Sequence, residues 1–150
     1  MLRKATVADV EAMKHLINTY AKQELMLARS LSELYESIRN FYVYEENGNI
    51  IGCCGLQVIW EDCAEILSIA VIPECIKRGI GSKLLSACLE DGRALGVKKV
   101  FTLTYVPEFF EKNGFKQIEK SILPHKIWSG CIKCPKFPDC DEISLMKKLK

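Results

Sequence analysis

Lys77-Arg78-Gly79-Ile80-Gly81-Ser82 sets two full positive charges beside two glycines. Residues of these types at this spacing suit the binding of an anion. Glycine has no Cβ, so neighbouring backbone N–H groups can converge on one point. A helical pattern follows at once through Leu84, Leu85, Cys88 and Leu89, and a helix N-terminus adds partial positive charge. An ordinary strand-to-helix turn also uses glycines, so a bare Gly-x-Gly is weak by itself. The chain holds neither GxxxxGKS/T nor GxGxxG, which argues against a nucleoside triphosphate or a dinucleotide.

A second group of reactive side chains comes late. Cys131-x2-Cys134-x5-Cys140, with His125 upstream, has enough soft ligands for tetrahedral zinc. Only its first half has CxxC spacing, so free thiols or a redox pair compete, and no metal is assigned. Pro135, Pro138, Trp128 and Phe137 predict an ordered lid within the loop from Leu123 to Asp141.

Positioning these groups requires a scaffold. The β-branched run Ile66–Ile72 predicts a buried strand, stopped by Pro73. The helix after the glycine loop ends at Leu95-Gly96. Upstream, Leu2–Ala5 reads as a strand, and Thr6 with Asp9 as a capping box. The helix it starts places Val10, Met13, Ile17, Tyr20 and Ala21 on one face. After a break at Met26–Ser30, a second helix starts at Ser32. Phe41–Glu45 and Ile50–Trp60 form a hairpin about Asn47-Gly48-Asn49. Val100–Tyr105 is a further strand. Pro107–Lys112 is a short helix, Phe115–Glu119 a strand and Glu142–Leu149 the last strand.

Length and composition set the bounds. One domain spanning 1–150 is expected, with a full core. Twenty-one Lys and Arg against 19 Asp and Glu, without a run of one sign, argues against a dedicated nucleic-acid or membrane-surface binder. No apolar stretch reaches membrane-spanning length, and Met1-Leu2-Arg3-Lys4 lacks a signal peptide's apolar core, so a cytoplasmic protein is expected. A reducing cytosol leaves the eight cysteines without a disulfide role. Cys53, Cys54 and Cys88 fall in apolar patterns and read as core residues.

The stretch Ala64–Gly96 resembles motif A of the GNAT N-acetyltransferase superfamily. Its strand ends in Ala70-Val71, and Ile76-Lys77-Arg78-Gly79-Ile80-Gly81 stands where the family has Q/R-x-x-G-x-G/A, with Ile76 at the Q/R position. The resemblance implies an α/β (α+β) GNAT fold, with a mixed central sheet and a strand–loop–helix site for the pyrophosphate of acetyl-CoA. It assigns that site to Lys77, Arg78, Gly79, Ile80, Gly81 and Ser82. A splayed strand at Ile69, Ala70 and Val71 would pair with the pantetheine arm.

Three further segments narrow the resemblance. Leu27-Ala28-Arg29-Ser30 with Glu33-Leu34 is similar to LVRRS…L in the acetyltransferase domain of N-acetylglutamate synthase. Leu103-Thr104 with Phe109–Phe115 is similar to its LTT…WF…GF, and Ile122-Leu123-Pro124 to its LLP. Together they resemble the short, kinase-less type, which makes N-acetylglutamate for arginine synthesis. Feedback through a kinase domain is then not expected.

The resemblance also implies roles. Arg29 matches the arginine that holds the substrate carboxylate, an interaction that suits a bidentate fork, and Ser30 adds a hydrogen bond. Glu65 stands where related acetyltransferases place their base. Partial burial would raise its pKa; a wet strand end without a chemical role is the competing reading, and Glu61 is the fallback. Backbone N–H groups near Ile69–Val71 would stabilise the oxyanion. Phe110 occupies the position of the family's acid tyrosine and is expected to touch the cofactor, with Tyr105 the nearest substitute acid. Asp141 and Glu142 fall where the family has an Arg and a Ser for a second carboxylate. Lys126, Lys133 or Lys136 could substitute, and glutamine could serve as well as glutamate. A homodimer is left open. The competing functions are acetylation of another amine and a non-catalytic acetyl-CoA sensor.

Overall fold

Alternation along one hairpin strand sorts the chain into layers. In β2 (Phe41–Glu46), Phe41 and Val43 point into one apolar cluster, while Tyr42 and Tyr44 pack against the other. Two cores therefore sit on opposite faces of one sheet. The structure is a computed structural model that describes residues 1–119 and 142–149.

Around β2 the elements run β1 (Leu2–Lys4), α1 (Val10–Ala21), α2 (Leu31–Glu36), β3 (Asn49–Trp60), β4 (Cys63–Val71) and α3 (Ile80–Leu95). They continue with β5 (Lys99–Thr104), α4 (Pro107–Lys112), β6 (Lys116–Ile118) and β7 (Ile143–Lys148). The seven strands order as β1-β2-β3-β4-β5-β7-β6. All neighbouring pairs are antiparallel except β4 with β5. That parallel pair needs a crossover, and α3 supplies it.

The core over α3 takes Leu84, Leu85, Cys88 and Leu89 from the helix, with Cys54, Leu56, Ile66, Val100 and Leu145 from the strands. On the other face Val10, Met13, Leu16 and Ile17 of α1, with Leu34 of α2, cover Phe41, Val43 and Cys53. Each fully buried side chain of this size contributes about 1.5–3 kcal/mol. Cys53, Cys54, Cys63, Cys75 and Cys88 are all buried free thiols. No helix among the described residues is long and apolar enough to cross a membrane.

Several boundaries differ from expectation. The central strand begins at Cys63 rather than Ile66, because the long β3 continues to pair with it through Gln57–Glu65 and Val58–Ala64. Helix α2 begins one residue early, since Ser30 caps it: the Ser30 hydroxyl accepts from the Glu33 N–H at 3.1 Å. The link after β4 is a 3-10 turn, Pro73–Arg78. Asn47 and Gly48 both have positive φ, as a tight hairpin turn requires. The lid and the His125, Cys131, Cys134 and Cys140 expectations fall outside the described residues.

Candidate active site

The glycine loop is built as a turn feeding a helix. Gly79 closes the 3-10 turn at φ +76 and is also the N-cap of α3. A side chain there would meet no atom within 4 Å, so backbone conformation rather than space calls for glycine. Gly81 is closely packed instead: a Cβ would lie 3.1 Å from the Phe109 ring, which would have to give by a few tenths of an ångström. Ile80 is buried between them and anchors the loop to the core. The first turn of α3 carries no acidic residue, so its N–H groups and dipole remain available to an anion. Lys77 is exposed and Ser82 half-buried at this end. Arg78 is already engaged. Glu46, at the end of β2, accepts two hydrogen bonds from it at 2.9 and 2.6 Å, and the arginine holds that carboxyl below its ordinary pKa.

Beside the loop the sheet opens. β4 pairs with β5 only at Cys63–Lys99, Ala64–Val100 and Glu65–Phe101. Beyond Glu65 the two strands share no further rung. On its other edge β4 stays paired to β3, at Ala70–Cys53 and Val71–Gly52. A bulge lies between, with a register shift from Cys53 to Gly55 opposite Ser68, whose φ is +49. The Ala70 and Val71 side chains are buried and Ile69 is half-buried, so this stretch offers mainly backbone to the opening. Tyr20 of α1 donates its hydroxyl proton to the Val71 carbonyl and ties the helix to the strand end.

The third group lies on the bulge. Arg29 donates from Nε to Ser68 Oγ at 3.2 Å and from an Nη to Glu33 at 3.3 Å. Glu65 is the third residue of β4, half-buried between Ala64 and Ile66, and burial pushes its carboxyl up to about 7. The Arg29 charge opposes that rise and the Glu142 charge adds to it, so all three residues share one electrostatic neighbourhood. Tyr105 is half-buried just past β5, and Glu61 is exposed in the turn before β4. Ser30 accepts the capping bond of α2, which uses its oxygen and leaves its proton able to donate.

Phe110 lies deep in the fold. It is 1% exposed and stacks edge-on against Phe109 and Phe115 at 5.1 and 5.3 Å. Its ring belongs to the core, and Phe109 is the aromatic that reaches the glycine loop. Sequence reasoning also missed Glu46 and Ser68, which matter only once distant strands meet. Among the described residues no group of three or more His, Cys, Asp or Glu side chains could hold a metal ion.

A glycine cradle at a helix start, next to a parallel pair that parts after three rungs, fits a long ligand with an anionic end. The model of the acetyltransferase (GNAT) family matches residues 10–115. The chain belongs to the GNAT acetyltransferase family. Its mixed seven-stranded sheet is the GNAT fold expected from motif A, and acetyl-CoA is the co-substrate of this acyltransferase.

An uncharacterized N-acetyltransferase of Chlorobaculum tepidum is 40% identical over 148 residues, covering 99% of this chain and 96% of its own. An amino-acid acetyltransferase of Mycobacterium tuberculosis is 38% identical over 122 residues, 79% of this chain and 70% of that protein. Among solved structures, N-acetylglutamate synthase of Neisseria gonorrhoeae, complexed with coenzyme A and N-acetyl-glutamate, superposes with a TM-score of 0.89 at 27% identity. The match covers 100% of this chain and 35% of that longer one.

Proposed function

We propose that this GNAT enzyme transfers acetyl from acetyl-CoA to the α-amine of a free amino acid, with L-glutamate as acceptor. The product would be N-acetylglutamate, the first intermediate of arginine synthesis. One observation carries this reading: Arg29 is held on the β4 bulge in the same electrostatic neighbourhood as Glu65. An arginine there can fix a carboxylate while a base with pKa near 7 takes the ammonium proton from the same substrate. The kinship to an amino-acid acetyltransferase and to N-acetylglutamate synthase supports it.

The steps then follow from charge. The glycine loop and the N-terminus of α3 hold the pyrophosphate, and the arm of acetyl-CoA lies in the opening between β4 and β5. Glu65 accepts a proton from the substrate ammonium, directly or through water. The neutral amine attacks the thioester carbon, and backbone N–H groups near Ile69–Val71 stabilise the oxygen that becomes negative. The C–S bond breaks and the C–N bond remains; the amide nitrogen sheds its extra proton, and the thiolate gains one, through the Tyr105 hydroxyl or solvent as relay.

A second reading has a specific observation in its favour. Glu142 raises the Glu65 carboxyl electrostatically, so a negative side chain borders the acceptor end. That neighbour disfavours a second substrate carboxylate and suits the amide of glutamine. The test follows free thiol release from acetyl-CoA across amino acids and other amines, beside Arg29→Ala. Release with glutamate or glutamine, lost at least tenfold in Arg29→Ala, is expected. Release confined to amines without a carboxylate would end the amino-acid reading.

A further inference from the structure

Among the described residues, three non-glycine residues have positive φ: Glu24, Asn47 and Ser68. Glu24 and Asn47 lie in turns, where such backbone is common, whereas Ser68 lies within a strand. L side chains rarely adopt φ +49, and the conformation persists only where surroundings dictate it. Here the surroundings are a bulge whose two functions coincide. The Ser68 carbonyl accepts from the buried Cys53 thiol at 3.3 Å, which pins the backbone to β3. The Ser68 hydroxyl is thereby turned to Arg29 and accepts its Nε proton at 3.2 Å.

Arginine has five N–H donors in a rigid plane. Fixing Nε fixes the plane, and Glu33 takes one Nη proton at 3.3 Å. The remaining Nη protons are those a substrate carboxylate would use. We propose that Ser68 is a positioning residue, whose hydroxyl on the strained bulge of β4 aims the Arg29 guanidinium at the acceptor carboxylate. This rests on the reading of Arg29 as the carboxylate anchor. It adds that the bulge on β4, beside the opening between β4 and β5, orients the anchor for the acceptor.

The test uses Ser68→Ala, which keeps a Cβ at positive φ but loses the hydroxyl, and Ser68→Gly, which loses the hydroxyl and relieves the backbone. The first readout is the Arg29 Nε–H resonance, assigned by its absence in Arg29→Lys. A signal protected from solvent exchange in the parent protein and exchanging freely in both variants is expected. The second is steady-state kinetics with whichever amino acid releases thiol. Both variants should raise the acceptor KM about five- to tenfold, with kcat and the acetyl-CoA KM unchanged. In an Arg29→Ala background neither should raise it further.

An Nε–H signal unchanged in Ser68→Ala would overturn the proposal, as would a KM rise of full size in the Arg29→Ala background. Failure of the underlying anchor reading looks different: Arg29→Ala itself then leaves the acceptor KM unaltered, and the positioning role falls with it. A normal Arg29→Ala loss beside an unaltered Ser68→Ala overturns the positioning role alone.

Discussion

Glu65 sits among apolar neighbours on β4, and burial pushes its carboxyl up to about 7 from an ordinary value of 4.5. Below 4.5 both folded and unfolded chains carry the proton. Between 4.5 and 7 the unfolded chain releases it while the folded one holds it, so stability falls as pH rises through that window. Above 7 the loss is complete, and the carboxylate is then ready to act as a base. Glu65→Gln should therefore melt at a higher temperature than the parent at pH 8 and at the same temperature at pH 4. Its kcat should drop at least a hundredfold. In the parent, kcat/KM with the accepted amino acid should rise with pH through an apparent pKa near 7, a limb absent from Glu65→Gln. How far such residues were legible depended on reach. Gly79, Gly81, Arg29 and Glu65 were visible as types within local motifs. Ser68 was not, because a serine in an apolar run carries no sign of the bulge that gives it a role. Glu46 was not, since its partner Arg78 lies across the sheet edge.

At the scale of elements, local patterns located the helices and the hairpin, and failed where tertiary pairing extends a strand. The apolar run starts only at Ile66, yet Cys63–Glu65 is already strand, held in the sheet by β3 on one side and β5 on the other. The Thr6–Asp9 signature was legible, but not its reach. Arg3 on β1 grips Asp9 with two bonds at 2.7 and 2.9 Å and Glu45 on β2 with one at 2.9 Å. Asp9 also accepts the Thr6 N–H at 2.8 Å, so one buried carboxylate joins a strand to the start of a helix. The Arg3 bond, more than any other group, holds the Asp9 carboxyl below its ordinary value. A depressed carboxyl contributes stability above its unfolded value and loses it as pH falls. Arg3→Ala strips the partner from a buried charge and should cost about 3 kcal/mol in urea unfolding at pH 7. The difference from the parent should shrink on acidification as Asp9 becomes protonated.

For the whole molecule, two cores on one sheet make a single cooperative unit the expected behaviour. A ligand that binds only the folded chain stabilises it by mass action. Acetyl-CoA at a hundred times its dissociation constant should add about 2.7 kcal/mol, or roughly 5–10 °C in melting temperature. Desulfo-CoA should do nearly as well, because the loop contacts lie at the pyrophosphate. Absence of any shift at saturating concentration would contradict the loop as the binding site. The family fold was legible throughout at this scale, since motif A names a sheet as well as a loop.

The parting of β4 from β5 has one more consequence. Only three rungs join the half-sheet β1–β4 to the half-sheet β5-β7-β6, and the chain crosses between them through the turn at Gly96-Val97-Lys98. A molecule with so narrow a seam is a natural candidate for division. Two polypeptides, 1–96 and 97–150, each keep all their internal strand pairings, and only those three rungs are divided between them. Produced separately and mixed, they should reassemble weakly, driven by the apolar surface of α3 against Val100 and Leu145. Acetyl-CoA would lie along the seam and touch both pieces, so it should act as the glue of the split enzyme. Restored activity should then rise with cofactor concentration more steeply than in the unbroken chain.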